Sequence, residues 1–265
     1  MITKPVVSDF LPDYFHGSPA FAAIAPLAQG LAWRDWPEAA RYYSDLNTLG
    51  APLRFVQDSP AQSYELYIGE TAQVPTRHAL WHDYFNALVW CRFPQTKSQL
   101  NALHRAHWDA AGPAVQRTPV RDGLTLLDES GALVICDDAS LLDLLREMNW
   151  PELFVAQRAR VVRHMRVIVF GHGLLEKFLH PYVGMTAKAL LMPASAEVVR
   201  MPLMALCAWA DAHLAAQLHS SGQLVSADLC PLPILGVPGW WPANEEPAFY
   251  DNEQYFRRQR RRRPK

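Results

Sequence analysis

Twenty-one prolines punctuate this chain of 265 residues, and no other feature limits its architecture so strongly. Each proline fixes φ and removes a backbone donor, so long uninterrupted helices and central strands are excluded wherever one falls. The pattern predicts many short elements. Half of the residues are hydrophobic, with 9 Trp, 9 Tyr and 11 Phe, which excludes a disordered chain, a collagen and a coiled coil. The length suffices for a sizeable core, and neither an internal repeat nor a long linker is present.

Local signals place the elements. Ser18-Pro19 opens a helix that stops at Gly30, and Asp35-Trp36-Pro37-Glu38 reads as a capped start of a helix to about Leu49. Leu53–Val56 and Tyr64–Ile68 read as a hairpin. Ala79–Phe93 is apolar at helical spacing, and Pro94 begins a second helix to about Ala110. Leu124–Asp128 and Ala132–Cys136 flank Glu129-Ser130-Gly131, a tight-turn signal for another hairpin. Asp138 caps a helix through Met148, and Asn149-Trp150-Pro151-Glu152 opens a shorter one. Arg166–Phe170 reads as a strand, followed through Gly171-His172-Gly173 by a short helix. Ser195 caps a long helix to about His219, bent near Pro202, and a Pro/Gly-rich strap runs from Pro231 to Pro247. The expected fold is α+β: one helix-rich domain over residues 1–256 with short β-hairpins and the Pro-rich strap. A flexible basic tail, 257–265, completes it.

Charge is asymmetric. The net charge is −1, yet the last nine residues carry six Arg, one Lys and no acid, leaving residues 1–256 near −8. Cys91, Cys136, Cys207 and Cys230 are scattered and form no Cys-x-x-Cys pair, the pattern of reduced core thiols. Neither a signal peptide nor an apolar run of about 18 residues is found. A cytoplasmic protein with no membrane partner is expected.

Several blocks, taken together, are specific: Trp81-His82-Asp83-x-Phe85-Asn86-Ala87-Leu88-x-Trp90, Phe93-Pro94-x-Thr96-Lys97, Leu100-Asn101-x-x-His104 and Leu124-Thr125-Leu126-Leu127-Asp128-Glu129-Ser130-Gly131. Phe170-Gly171-His172-x-Leu174-x-Glu176-Lys177 and Leu232-Pro233-Ile234-Leu235-Gly236-Val237-Pro238-Gly239-Trp240, with Asn244 and Phe249-Tyr250, follow in order. Over roughly residues 80–256 the chain resembles a largely bacterial family known as domain of unknown function family 3025. That resemblance implies no established activity, so any chemistry has to be read from the residues.

Polar residues inside these apolar blocks are the candidates. Lys97, Asn101 and His104 fall at i, i+4 and i+7 on one helical face, and His82, Asp83 and Asn86 have the same adjacency upstream. A cation, an amide and an imidazole on one face suit a carboxylate or phosphate group, so Asp83, Asn86, Lys97, Asn101 and His104 are expected to bind a small anionic substrate. A solvated face or an interhelical hydrogen-bond network is the competing reading. Four helical residues turn about 400°, so His172 and Glu176 share a face and can ligate one divalent metal or act as an acid/base pair. Asp128 and Glu129 would complete that charge cluster as catalytic carboxylates, against the alternative that they merely serve a turn. The absence of Gly-x-Ser-x-Gly, Walker A and Gly-x-Gly-x-x-Gly motifs disfavours serine hydrolases, P-loop NTPases and Rossmann dehydrogenases.

Two functions follow. The first is a small-molecule enzyme, a metal-assisted or acid/base hydrolase built on the His/carboxylate cluster. The second is a nucleic-acid-associated protein acting through Arg257, Arg258, Arg260, Arg261, Arg262 and Arg263.

Overall fold

A computed structural model describes residues 9–58, 60–111 and 118–257. Near the N-terminus the Ser18 hydroxyl accepts the Ala20 N–H at 3.2 Å and starts a short 3-10 turn, which precedes α1 (Ala25–Leu31). In α2 (Ala39–Asn47) the expected capping box is absent. Asp35 accepts from the neighbouring Trp36 N–H at 2.7 Å, and Glu38 takes the N-cap position without a side-chain bond. The segment expected to be a hairpin instead forms β1 (Arg54–Val56), α3 (Tyr64–Thr71) and β2 (Gln73–Pro75), with the two strands parallel. Parallel strands need a crossover, and α3 supplies it. Its Ile68 is buried, and Glu65 in its first turn opposes the helix dipole favourably.

Next come α4 (Trp81–Arg92) and α5 (Pro94–Ala111), as their periodicity predicts. Most of α4 is buried, from Trp81 through Trp90, as expected of a helix that is apolar nearly all round. The open amides at the start of α5 are closed by a distant residue. Asp211 accepts the N–H groups of Gln95 and Thr96 at 3.1 and 2.7 Å, and the carboxylate is buried.

The second expected hairpin is also replaced. Residues 119–130 form α6 (Pro119–Ser130), capped by Thr118, and this runs directly into β3 (Gly131–Cys136). Gly131 has φ −70 and ψ 142, an extended geometry rather than the positive φ that a tight hairpin turn uses. Pro119 at the first helical position and the buried Leu124 and Leu127 one turn apart favour the helix. Then follow α7 (Ala139–Arg146), a single π-turn at Glu152–Ala156, α8 (Arg158–His164) and β4 (Met165–Val169). The short α9 (His172–Lys177), β5 (Thr186–Pro193), α10 (Ala196–Val199) and α11 (Leu203–Ser221) lead to β6 (Leu229–Pro233). Pro202 separates α10 from α11 where a single bent helix was expected.

The main sheet has the order β4-β3-β5-β6. Its central pair, β3 and β5, is parallel, and both outer pairs are antiparallel. Every residue of β3 is buried, so α6 and α9, which abut its first residue, stand on a rigid base. The Pro-rich strap closes over the core: Asn244 donates to the carbonyls of Leu235 and Val237 at 2.8 and 2.7 Å. Trp240 packs on Phe178 with ring centroids 5.9 Å apart. Among the described residues no helix is long and apolar enough to cross a membrane.

Candidate functional site

The two glycines around His172 create the site. A Cβ on Gly171 would lie 2.4 Å from the Gly131 nitrogen and 2.6 Å from that of Ser130. One on Gly173 would lie 2.6 Å from a Glu129 carboxylate oxygen. Only glycine lets the start of α9 press against the end of α6. The Gly171 N–H donates to the Gly131 carbonyl at 2.9 Å and locks the contact. His172 is thereby brought to Glu129, and α4 delivers His82 from the other side.

Three ligand-type atoms converge. His82 Nε2 and His172 Nε2 are 3.1 Å apart, and Glu129 Oε1 lies 3.8 Å from the first and 3.6 Å from the second. Behind this cluster, His82 Nδ1 is 3.0 Å from Glu176 Oε2. If His82 Nδ1 donates to that carboxylate, its Nε2 lone pair points at His172. Two imidazole nitrogens so close require a proton or a cation between them. Bonds of about 2.05 Å in a tetrahedral zinc site put neighbouring ligands roughly 3.3 Å apart, near the 3.1 Å between the two imidazoles and a few tenths of an ångström shorter than their distances to Glu129.

The electrostatics divide the two histidines. The hydrogen bond with Glu176 raises the His82 pKa above its ordinary value against the effect of burial, with Glu129 adding to the rise. Burial pushes the His172 imidazole down to about 4, although Asp128 opposes it. Burial alone would raise Asp128, but Lys97 and His172 hold it below the usual carboxylate range. Burial raises Glu129, partly countered by His82.

A cavity of about 620 Å³ opens onto this cluster between α3, α4, α5, α6 and α9. Asp83, Asn86, Lys97, Asn101, His104, Asp128, Glu129 and His172 all border it. Their contacts differ from the expected roles. Lys97 is buried, and its ammonium donates to Asn86 Oδ1 at 2.9 Å and Asp128 Oδ1 at 2.5 Å and lies 5.2 Å from the centre of the Trp90 ring. Asp83 accepts from the Arg77 backbone and guanidinium at 2.6 to 3.0 Å. Asn86 donates to Tyr64 at 2.7 Å, and Asn101 to the Glu65 carbonyl at 2.9 Å. The interhelical network weighed above is therefore real, and it forms the cavity's wall.

Two expectations are corrected. Asp128 and Glu129 end a helix instead of tipping a hairpin. The metal-type grouping among the described residues is His82, Glu129 and His172 rather than His172 with Glu176. Glu176 does lie on His172's helix, but it reaches the cluster by way of His82. His82 stands 90 residues from His172, so only the tertiary fold pairs them. Its one signal in the sequence is an imidazole embedded in an apolar helix next to Asp83 and Asn86.

The model of the family described as protein of unknown function (DUF3025) matches residues 53–260. The chain belongs to that family. No curated protein and no solved structure matches this DUF3025 chain. Of its basic tail, Arg257 is described and exposed, and its carbonyl accepts the Trp150 indole N–H at 2.8 Å. Arg258, Arg260, Arg261, Arg262 and Arg263 lie outside the described residues, so the nucleic-acid reading rests on the sequence charge alone.

Proposed function

We propose that this DUF3025 protein is a metal-dependent hydrolase of a small molecule, with His82, His172 and Glu129 as ligands of one divalent ion. The observation that carries the reading is that one donor atom from each of these residues lies within 4.8 Å of the others, at the edge of the large cavity. Two imidazoles and one carboxylate leave coordination positions open, as a catalytic zinc-type site requires. A bound ion there supplies Lewis acidity and lowers the pKa of water. The chain's own groups do the rest. Glu176 fixes the ring of His82 through Nδ1, and the buried Lys97 holds Asp128 beside His172. The cavity beside the cluster offers the space for a small substrate.

The body of residues 1–256 is read as one domain, supported by a hydrophobic core that includes both Tyr14 and Phe256. Four free cysteines fit the reducing cytoplasm in which we place the enzyme.

One observation favours a second reading without metal. His82 has a raised pKa and His172 a lowered one, so the 3.1 Å contact suits a proton donor and an acceptor. A panel of simple esters, amides and phosphate esters separates the two. Metal-dependent turnover that is abolished by His82→Ala, His172→Ala and Glu129→Gln supports the hydrolase reading. Turnover that persists in chelator supports the acid/base pair, and no turnover with any divalent ion rejects the hydrolase.

A further inference from the structure

His82 and Glu129 border not one cavity but two. Adjoining the large cavity is a second, shallower one of about 390 Å³, lined also by Ser130, Gly173, Glu176, Lys177, His180 and Tyr182. His172 borders only the larger one. Two members of the candidate centre, His82 and Glu129, thus stand where the two cavities adjoin.

The chambers differ in the charge they have to offer. The lysine and the arginine of the large cavity are both spent on carboxylates, Lys97 on Asp128 and Arg77 on Asp83. In the smaller cavity the situation is reversed. Its carboxylates Glu129 and Glu176 are turned toward His82, at 3.8 and 3.0 Å. Lys177 and His180 are exposed and form no ion pair among the described residues. They lie three residues apart, and the His180 N–H donates to the Lys177 carbonyl at 3.2 Å, which keeps the two on one turn of chain. The phenol-bearing Tyr182, 56% exposed, stands at the rim.

We propose that the smaller cavity is an oxyanion subsite, in which Lys177 and His180 receive a carboxylate or phosphate group of the substrate while its body occupies the large cavity. The anion-binding role expected of Lys97, Asn101 and His104 moves to this adjoining cavity. Lys177 lies next to Glu176 within the span matched by the family, and the hydrolase reading leaves it without a task. Charge-assisted hydrogen bonds from an ammonium are the stronger kind, and the ring N–H of an imidazole adds a second donor. The inference rests on the hydrolase reading for its substrate, but its binding test does not depend on turnover.

The test is calorimetric titration of the full chain, loaded with one equivalent of Zn²⁺, with inorganic phosphate and separately with acetate. Lys177→Ala and His180→Ala are compared with Arg146→Ala, a remote surface control. The expected result is binding of at least one of the two anions that weakens about 10-fold or more in each subsite variant and not in the control, with zinc affinity unchanged in all. The anion that binds more tightly identifies the group. Equal affinity in wild type, Lys177→Ala and His180→Ala overturns the proposal, as does the absence of binding by both anions. A wild-type chain that takes no zinc refutes the hydrolase reading instead. The anion titration then runs on the metal-free protein, where loss of Lys177-dependent binding remains the deciding result.

Discussion

Replacing Gly171 by alanine tests how closely the site depends on the contact between α9 and α6. The glycine has φ −66 and ψ 117, which any residue adopts, so the cost of a side chain there is purely steric. Its Cβ would stand 2.4 Å from one backbone nitrogen, 2.6 Å from another and 2.7 Å from the Glu129 carbonyl carbon. Ordinary contact begins near 3.4 Å, so α9 must retreat by about 1 Å, more than the roughly 0.5 Å that a ligand set tolerates. Overpacking of this kind costs about 1–3 kcal/mol. At about 2–4 °C per kcal/mol for a chain of this size, Tm should fall by roughly 2–12 °C, and the affinity for Zn²⁺ should fall at least about 10-fold. Gly173→Ala provides the contrast, because its nearest obstacle is a Glu129 carboxylate oxygen that can swing away. It should lose metal affinity with a smaller change in Tm. Thermal unfolding and metal titration of both variants decide the matter, and a Gly171→Ala protein with wild-type Tm and affinity would refute the reasoning.

Three other outcomes are expected. His172 is buried with its pKa depressed to about 4 from an ordinary 6.5, so on acidification the unfolded chain takes up that proton first. Metal-free stability should therefore fall by roughly 3 kcal/mol as pH drops from about 6.5 to 4; denaturant melts should show this slope flattened in His172→Ala. Metal binding should weaken as pH falls through the raised pKa of His82, because proton and ion compete for the same ring; calorimetry in two buffers should detect the proton released. Lys97→Met leaves Asp128 uncompensated and should cost about 3–5 kcal/mol, while Lys97→Met with Asp128→Asn should recover part of that loss in urea unfolding.

Much of the cavity wall was legible because it lies along single helices. Lys97, Asn101 and His104 share one face of α5, and that face does border the cavity. The α4 and α5 boundaries followed from apolar spacing and from Pro94. The two hairpins were misread because Tyr64–Ile68 and Leu124–Asp128 are short apolar runs, for which strand and helix periods are hard to tell apart. Glu129-Ser130-Gly131 looked like a turn, yet its glycine serves close packing of α9 rather than a positive φ. Two of the three proposed ligands were visible. His172 and Glu129 were singled out, but their third partner, His82, joins them only through the packing of α4 against α9. Nothing in local spacing encodes that contact.

The proposed function stands on His82, His172 and Glu129 holding one metal ion. Its most direct measurement is an equilibrium Zn²⁺ titration of chelator-treated protein against a competing indicator, with His82→Ala, His172→Ala and Glu129→Gln in parallel. One ion per chain is expected in the wild type, with a loss of about 100-fold or more in affinity in each variant. A wild-type chain that binds no zinc, or binding that survives all three substitutions, would contradict it.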